Sequence, residues 1–136
     1  RTFIFSTGLP PYFASQVSAG MNLAADSESE RTRLLQSSAF LRGELQKNGF
    51  DTGHSDSHIV PVILGSNEVA LYYAEFLRAR GFGVRAIRPP TVPDGSARLR
   101  LSLTAKHSQD LLAELVATMI QARSGISAGR AVSASE

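Results

Sequence analysis

A strand-like segment in the second half of the chain carries two arginines that could bind an anion. Residues 98–103 alternate strictly, so Arg98 and Arg100 share one face of an extended chain while Leu99 and Leu101 share the other. A guanidinium held on a strand offers a planar fork of donors that matches a carboxylate or a phosphate. The alternative is that both arginines are simply solvated on an exposed sheet face, which is common for arginine.

Two other groups of polar residues could carry chemistry. His54, Asp56 and His58 alternate, so an extended chain would point all three the same way, as ligands of a metal ion do. The alternative for them is a hydrophilic connector that precedes a strand. Ser6 and Thr7 come just before a predicted helix and could donate to an anion at its start, although hydroxyls in that position usually cap the helix.

Length and composition exclude several classes of protein. The chain has 136 residues, which is room for one domain. Its net charge is 14 − 12 = +2, and acidic residues are interspersed with the basic ones, which does not favour a nucleic-acid surface. The absence of cysteine excludes disulfides and thiolate sites, and is consistent with a cytoplasmic location. The sequence has no phosphate-binding Gly-Lys-Ser/Thr motif and no Gly-x-Ser-x-Gly nucleophile motif.

Apolar periodicity predicts helices and strands that would position these residues. The first helix begins near Pro11, Ser66 caps the third helix, and Pro61 indicates that the first strand is an edge strand or contains a bulge. A proline-containing loop separates the last two strands. Helices are predicted over residues 12–25, 27–48, 67–80 and 108–123, and strands over residues 59–64, 83–87 and 98–103.

The order of these elements predicts a topology. The first two strands flank a crossover helix and would be parallel to one another. If the third strand inserts between them, it is antiparallel to both. We therefore predict an α+β domain, in which a small three-stranded, mainly antiparallel sheet packs on helices and is preceded by a helical segment.

Three segments resemble one enzyme family, the pyridoxal-phosphate-dependent α-oxoamine synthases. The most specific is residues 86–105, AIRPPTVPDGSARLRLSLTA; residues 3–11, FIFSTGLPP, and the strand at residues 59–65, IVPVILG, also match. The resemblance covers nearly the whole chain up to about Arg123. It implies the C-terminal domain of a fold-type I, aminotransferase-like architecture. The Arg-Pro-Pro-Thr-Val-Pro wording favours the member that condenses L-alanine with pimeloyl-CoA, with decarboxylation, in biotin synthesis.

The resemblance also implies roles for particular residues. Arg100 matches the arginine that binds the amino-acid carboxylate, and Thr91 falls in the loop that approaches the substrate. Thr7, with Ser6 beside it, matches the segment that reaches the phosphate of the cofactor, pyridoxal 5′-phosphate, in the neighbouring subunit of a homodimer. The family's Schiff-base lysine, and the aspartate and histidine that contact the pyridine ring, have no counterpart in this sequence; neither Lys47 nor Lys106 has that lysine's context.

These departures predict a chain that is inactive by itself and contains no catalytic residue or metal ligand. We expect residues 1–26 to link to a large catalytic domain, residues 27–123 to form the C-terminal domain and residues 124–136 to be a disordered tail. Two alternatives stay open. One is another α-oxoamine synthase, which joins glycine or serine to a different acyl-CoA. The other is a free-standing, non-catalytic domain that binds anions or mediates dimerisation. We expect neither a nucleic-acid nor a membrane partner in any of these cases.

Overall fold

The computed structural model describes residue 8 and residues 10–133, with side chains up to residue 126. The chain divides into two compact units, and the boundary lies between Thr32 and Arg33, inside the second helix. Among the described residues no helix is long and apolar enough to cross a membrane. The helices and strands are α1 Pro11–Asp26, α2 Glu28–Lys47, β1 Ile59–Gly65, α3 Asn67–Arg78, β2 Arg85–Ile87, β3 Ala97–Ser102 and α4 Gln109–Ser133.

The first unit contains α1 and the start of α2. Proline is the first residue of α1, as predicted, because it lacks an N–H that would be unpaired there in any case. None of the α1 side chains, all of which are described, is buried. Tyr12, Met21 and Leu23 are each more than 60% exposed, at 64%, 68% and 69%. The predicted role of residues 1–26 as a link to a larger domain stays a prediction.

The second unit is built on a three-stranded sheet in the order β1-β3-β2, with β3 antiparallel to both neighbours. The predicted three-stranded, mainly antiparallel sheet is therefore confirmed, and the structure shows that the third strand lies between the other two. Pro61 lies in β1, an edge strand whose register shifts between Ile63 and Gly65. The edge position and the register shift both agree with the prediction from Pro61, since its missing N–H is tolerated at a sheet edge. The strand β2 is shorter than predicted because the Val84 N–H donates to the Phe82 carbonyl (2.9 Å) in a tight turn before it.

Helices cover one face of the sheet and enclose the core. Val60 and Val62 of β1 and Leu99 of β3 are fully buried. They pack with side chains of α2, α3 and α4, among which Leu41, Leu45, Leu77 and Met119 are also fully buried. The opposite face of the sheet carries the polar residues of β3 and is left open, so the alternation in residues 98–103 separates the core from the candidate site.

The helix ends follow local sequence signals. The Ser66 hydroxyl accepts a hydrogen bond from the Val69 N–H (3.2 Å) and caps α3, as predicted. The backbone N–H of Glu68 and then the Ser66 hydroxyl lower the pKa of the Glu68 carboxyl below its usual value. After α3 the chain turns at Gly81, whose φ of 88° lies in the left-handed region that favours glycine.

The helix α4 continues to Ser133, where the composition predicted a disordered tail from residue 124 onward. The alanines among residues 124–133 favour a helix, whereas the glycines at 125 and 129 disfavour it. A glycine inside a helix costs only about 1 kcal/mol relative to alanine, which an established helix can absorb. The expected end of the helix was therefore too early.

Candidate functional site

The candidate site lies on the open face of the sheet, and the register of β3 determines which residues meet there. Arg100 pairs with Pro61 of β1 on one side and with Arg85 of β2 on the other. Directly opposite residues of antiparallel strands point to the same face, with Cβ atoms about 4.5–5.5 Å apart. The exposed Arg100 guanidinium is therefore flanked by a flat apolar ring and by a second guanidinium.

A cleft of about 330 Å³ on this face brings the two predicted substrate-binding residues, Arg100 and Thr91, together. We call it the outer-face cleft. Its apolar floor includes Pro61 and Ile87, and its polar lining includes two serines. The full lining is Ser55, Ser57, Ile59, Pro61, Ile87, Thr91, Arg98, Leu99 and Arg100. The substrate-binding roles of Arg100 and Thr91 stay predictions, but the residues are placed to act on one ligand.

The loop between β2 and β3 holds Thr91 at the cleft by its own hydrogen bonds. The Thr91 N–H donates to the Arg88 carbonyl (3.0 Å), which forms a turn at the start of the loop. The Ser96 hydroxyl donates to the Pro93 carbonyl (2.6 Å) near its end. Arg98 Nε then donates to the Ser96 carbonyl (3.0 Å). Arg98 is thus partly engaged in holding the loop, whereas the Arg100 side chain makes no such contact.

The two serines of the cleft come from the connector before β1, and the sequence analysis did not identify them. The Ser57 carbonyl accepts hydrogen bonds from the Ser38 hydroxyl and from Arg42 Nη1 (3.0 Å), both on α2. The Ser55 hydroxyl donates to the Ile59 carbonyl (2.6 Å). The only sequence signal was the polar composition of residues 51–57, which does not reveal that this segment contributes to the cleft.

The outer-face cleft is electropositive. In the described part of the chain the ion pairs are Glu28–Arg31 and Glu44–Lys47, both within α2, and no carboxylate pairs with Arg100. The Arg100 side chain forms no hydrogen bond with another described residue either. A guanidinium without an internal partner, above an apolar floor, favours a carboxylate or phosphate from a ligand.

The other candidate residues do not join this cleft. Ser6 and Thr7 lie outside the described residues. No three histidine, cysteine, aspartate or glutamate side chains of the described residues come together as a metal ion would require, and this includes His54, Asp56 and His58. All three lie in the connector that precedes β1.

Comparisons with known proteins bear on the same residues. The sequence model of the family "Aminotransferase class I and II" matches residues 1–119. A putative 8-amino-7-oxononanoate synthase of Desulfosudis oleivorans is 48% identical over 107 residues, which are 79% of this chain and 28% of that protein. The 8-amino-7-oxononanoate synthase of Geobacter sulfurreducens is 44% identical over 121 residues, which are 88% of this chain and 31% of that protein.

Solved structures show the same fold. A serine palmitoyltransferase from S. paucimobilis, bound to a pyridoxal phosphate–myriocin aldimine, matches with a TM-score of 0.79 and 26% identity, over 91% of this chain and 32% of that one. The 8-amino-7-oxononanoate synthase of Francisella tularensis matches with a TM-score of 0.75 over 89% of this chain and 35% of that one. At 21% identity this second likeness shows the fold alone.

The chain belongs to the aminotransferase class I and II family. Within that family, the similar sequences described above carry the name 8-amino-7-oxononanoate synthase. The chain spans about a third of the length of these relatives, at 28% and 31%. The predicted fold class, the α+β architecture of this family's C-terminal domain, agrees with the structural matches.

The described residues do not by themselves form a site for pyridoxal phosphate. A lysine is needed to hold its aldehyde carbon, and neither lysine of the chain lines the outer-face cleft. Lys47 is paired with Glu44 (2.7 Å), and Lys106 is exposed in the turn after β3. What the described residues offer is an anion contact and not a cofactor cradle.

Proposed function

We propose that this chain is the C-terminal part of a pyridoxal-phosphate-dependent acyltransferase of the 8-amino-7-oxononanoate synthase type. That enzyme joins L-alanine to pimeloyl-CoA and releases CoA and carbon dioxide, a step of biotin biosynthesis. The observation that carries the proposal is the meeting of Arg100 and Thr91 in one electropositive cleft. The relatives at 48% and 44% identity support the same assignment.

In this proposal the chain supplies the substrate contacts of the small domain. Arg100 binds the amino-acid carboxylate with its guanidinium fork, and the loop fixed by Ser96 and Arg98 presents Thr91 to the substrate. Ser6 and Thr7 reach the cofactor phosphate of the neighbouring subunit in a cytoplasmic homodimer. The electron-withdrawing chemistry belongs to the cofactor, held by a lysine that this chain does not contain.

A second candidate is an α-oxoamine synthase that uses a different amino acid and acyl-CoA. The structural match to a serine palmitoyltransferase, with a TM-score of 0.79, supports this second candidate. The side chain of the amino acid distinguishes the two candidates, because alanine and serine differ by one hydroxyl that a pocket must either pair or exclude.

Two measurements test the proposal. In the enzyme of which this chain is part, CoA release from pimeloyl-CoA should be faster with L-alanine than with glycine or L-serine. Arg100→Lys should raise the KM for L-alanine by about tenfold, since the ammonium cannot make the bidentate contact. Arg78→Lys, at an exposed arginine in the last turn of α3, is the matched control and should leave this KM unchanged.

The chain alone should form no adduct with pyridoxal phosphate that borohydride reduces to a stable amine. A reducible adduct on Lys47 or Lys106 would contradict the division of roles proposed here. Equal KM values for L-alanine in Arg100→Lys and the unmodified enzyme would contradict the role of Arg100.

A further inference from the structure

A second cleft opens at the other side of Arg100, where the sheet is incomplete. The strand β2 pairs only with residues 98–100 of β3. Residues 81–84 leave the edge of β3, and a cleft of about 480 Å³ lies between them, residues 101–104 and the start of α4. We call it the β2-edge cleft. Among its lining residues are Arg85, Arg100 and His107 on the polar side and Phe82, Val84 and Leu111 on the apolar side.

Two arginines line this cleft from neighbouring strands. Arg85 and Arg100 are directly opposite in the antiparallel register, and both side chains are exposed. Like charges in that arrangement repel and destabilise the strand pair. Neither arginine side chain forms an ion pair or a hydrogen bond with any other described residue. An oxyanion bound between them would replace this repulsion with two attractive contacts.

Backbone geometry adds further donors on the same side. The Leu103 N–H donates to the His58 carbonyl (3.0 Å), toward β1. Because neighbouring residues of an antiparallel strand bond to opposite sides, the N–H of Ser102 is directed toward β2, beyond the point where β2 begins. His107 Nδ1 accepts a hydrogen bond from the Thr104 N–H (3.3 Å), which leaves Nε2 to carry the ring's hydrogen.

We propose that the β2-edge cleft binds an oxyanion carried on an aliphatic group. Arg85 is the residue that contacts the oxyanion most directly, and Arg100 and His107 lie beside it. The aliphatic part covers Phe82, Val84 and Leu111, of which Leu111 is 39% exposed in this structure. A carboxylate and a phosphate monoester share the required chemistry, because each presents two or more oxygens to the guanidinium forks.

This site is distinct from the proposed amino-acid site, although Arg100 borders both clefts. In the outer-face cleft the other polar residues that could contact a bound molecule are Thr91, Ser55 and Ser57. Binding in the β2-edge cleft depends instead on Arg85. If Arg85→Ala does not weaken binding in the β2-edge cleft, the role proposed for Arg100 in binding L-alanine is therefore unaffected.

The test is a titration of the 136-residue chain, followed by backbone amide chemical shifts. The probes are octanoate, octyl phosphate, acetate and inorganic phosphate. Octanoate or octyl phosphate should shift the amides of residues 82–85 and 102–107 and bind more tightly than acetate or inorganic phosphate. Arg85→Ala should weaken this binding by about tenfold, while Arg78→Ala should bind like the unmodified chain. Retained dispersion of the amide spectrum shows that Arg85→Ala is folded.

Tighter binding of octanoate assigns the site to carboxylates, and tighter binding of octyl phosphate assigns it to phosphate monoesters. Unchanged affinity in folded Arg85→Ala would overturn the proposal. So would shifts confined to other parts of the chain, or acetate and inorganic phosphate binding as tightly as the octyl probes.

Discussion

The buried face of α3 can be tested with a matched pair of leucines. Leu77 is fully buried against the sheet and α4, whereas Leu71 on the same helix is 40% exposed. Replacing either by alanine removes the same three carbon atoms in the same helix, so the change in helix propensity largely cancels between the two variants. The difference between them therefore measures burial.

The expected difference follows from the two exposures. At about 0.8 kcal/mol for each buried carbon group, Leu77→Ala loses about 2.4 kcal/mol of transfer free energy. The cavity that remains brings the total loss in the free energy of unfolding to about 3–4 kcal/mol. Leu71→Ala should lose about 1.5 kcal/mol or less, since only about 60% of that transfer free energy is lost at a side chain that is 40% exposed, and no closed cavity remains.

Urea unfolding followed by far-ultraviolet circular dichroism measures both losses. The slope of the free energy against urea should be the same in the two variants, so that a shift in midpoint reports stability alone. Losses that agree within about 0.5 kcal/mol would refute the packing of α3 described here.

Three further predictions concern single contacts. Burial raises the pKa of Tyr73 above its usual value of about 10, so the unfolded chain ionises first and stability falls as the pH rises beyond that value. Tyr73→Phe should remove the part of this loss of stability that comes from Tyr73. If the urea midpoints of Tyr73→Phe and of the unmodified chain fall in parallel as the pH rises, this effect of Tyr73 is refuted. Ser66→Ala should cost about 1 kcal/mol of unfolding free energy, because the Val69 N–H loses its acceptor, while Ser66→Asp should restore most of the loss; equal losses in both would speak against the cap. Arg123→Lys should lower the thermal midpoint, because the Arg123 guanidinium lies 3.8 Å from the centre of the Phe50 ring and an ammonium cannot stack there; an unchanged midpoint would show that the stack contributes nothing.

Local patterns predicted much of the fold. Alternation placed Leu99 and Leu101 in the core and Arg100 on the open face, and the structure confirms all of these placements. The cap at Ser66 and the first residue of α1 at Pro11 were also correct, because each depends on backbone groups only a few residues away. The predicted end of α4 was wrong, because glycine and alanine content alone does not determine where an established helix stops.

The candidate site was only partly predictable. Arg100 and Thr91 followed from a sequence resemblance, and the structure adds that they share a cleft. Ser55 and Ser57 could not be predicted, because their segment is held in place by Ser38 and Arg42, on a helix well before it in the chain. No periodicity connects residues that meet through such distant contacts.

The sequence by itself determined which side of each strand is apolar, where the helices begin, and which arginine matches a known carboxylate-binding motif. These are properties of short stretches, set by backbone periodicity and by capping hydrogen bonds. Only the tertiary structure decided that β3 lies between β1 and β2, that Arg85 stands opposite Arg100, and that a cleft opens where β2 ends. The physical reason is that cross-strand register is set by pairing between distant segments, so neighbours across a sheet are absent from any local pattern.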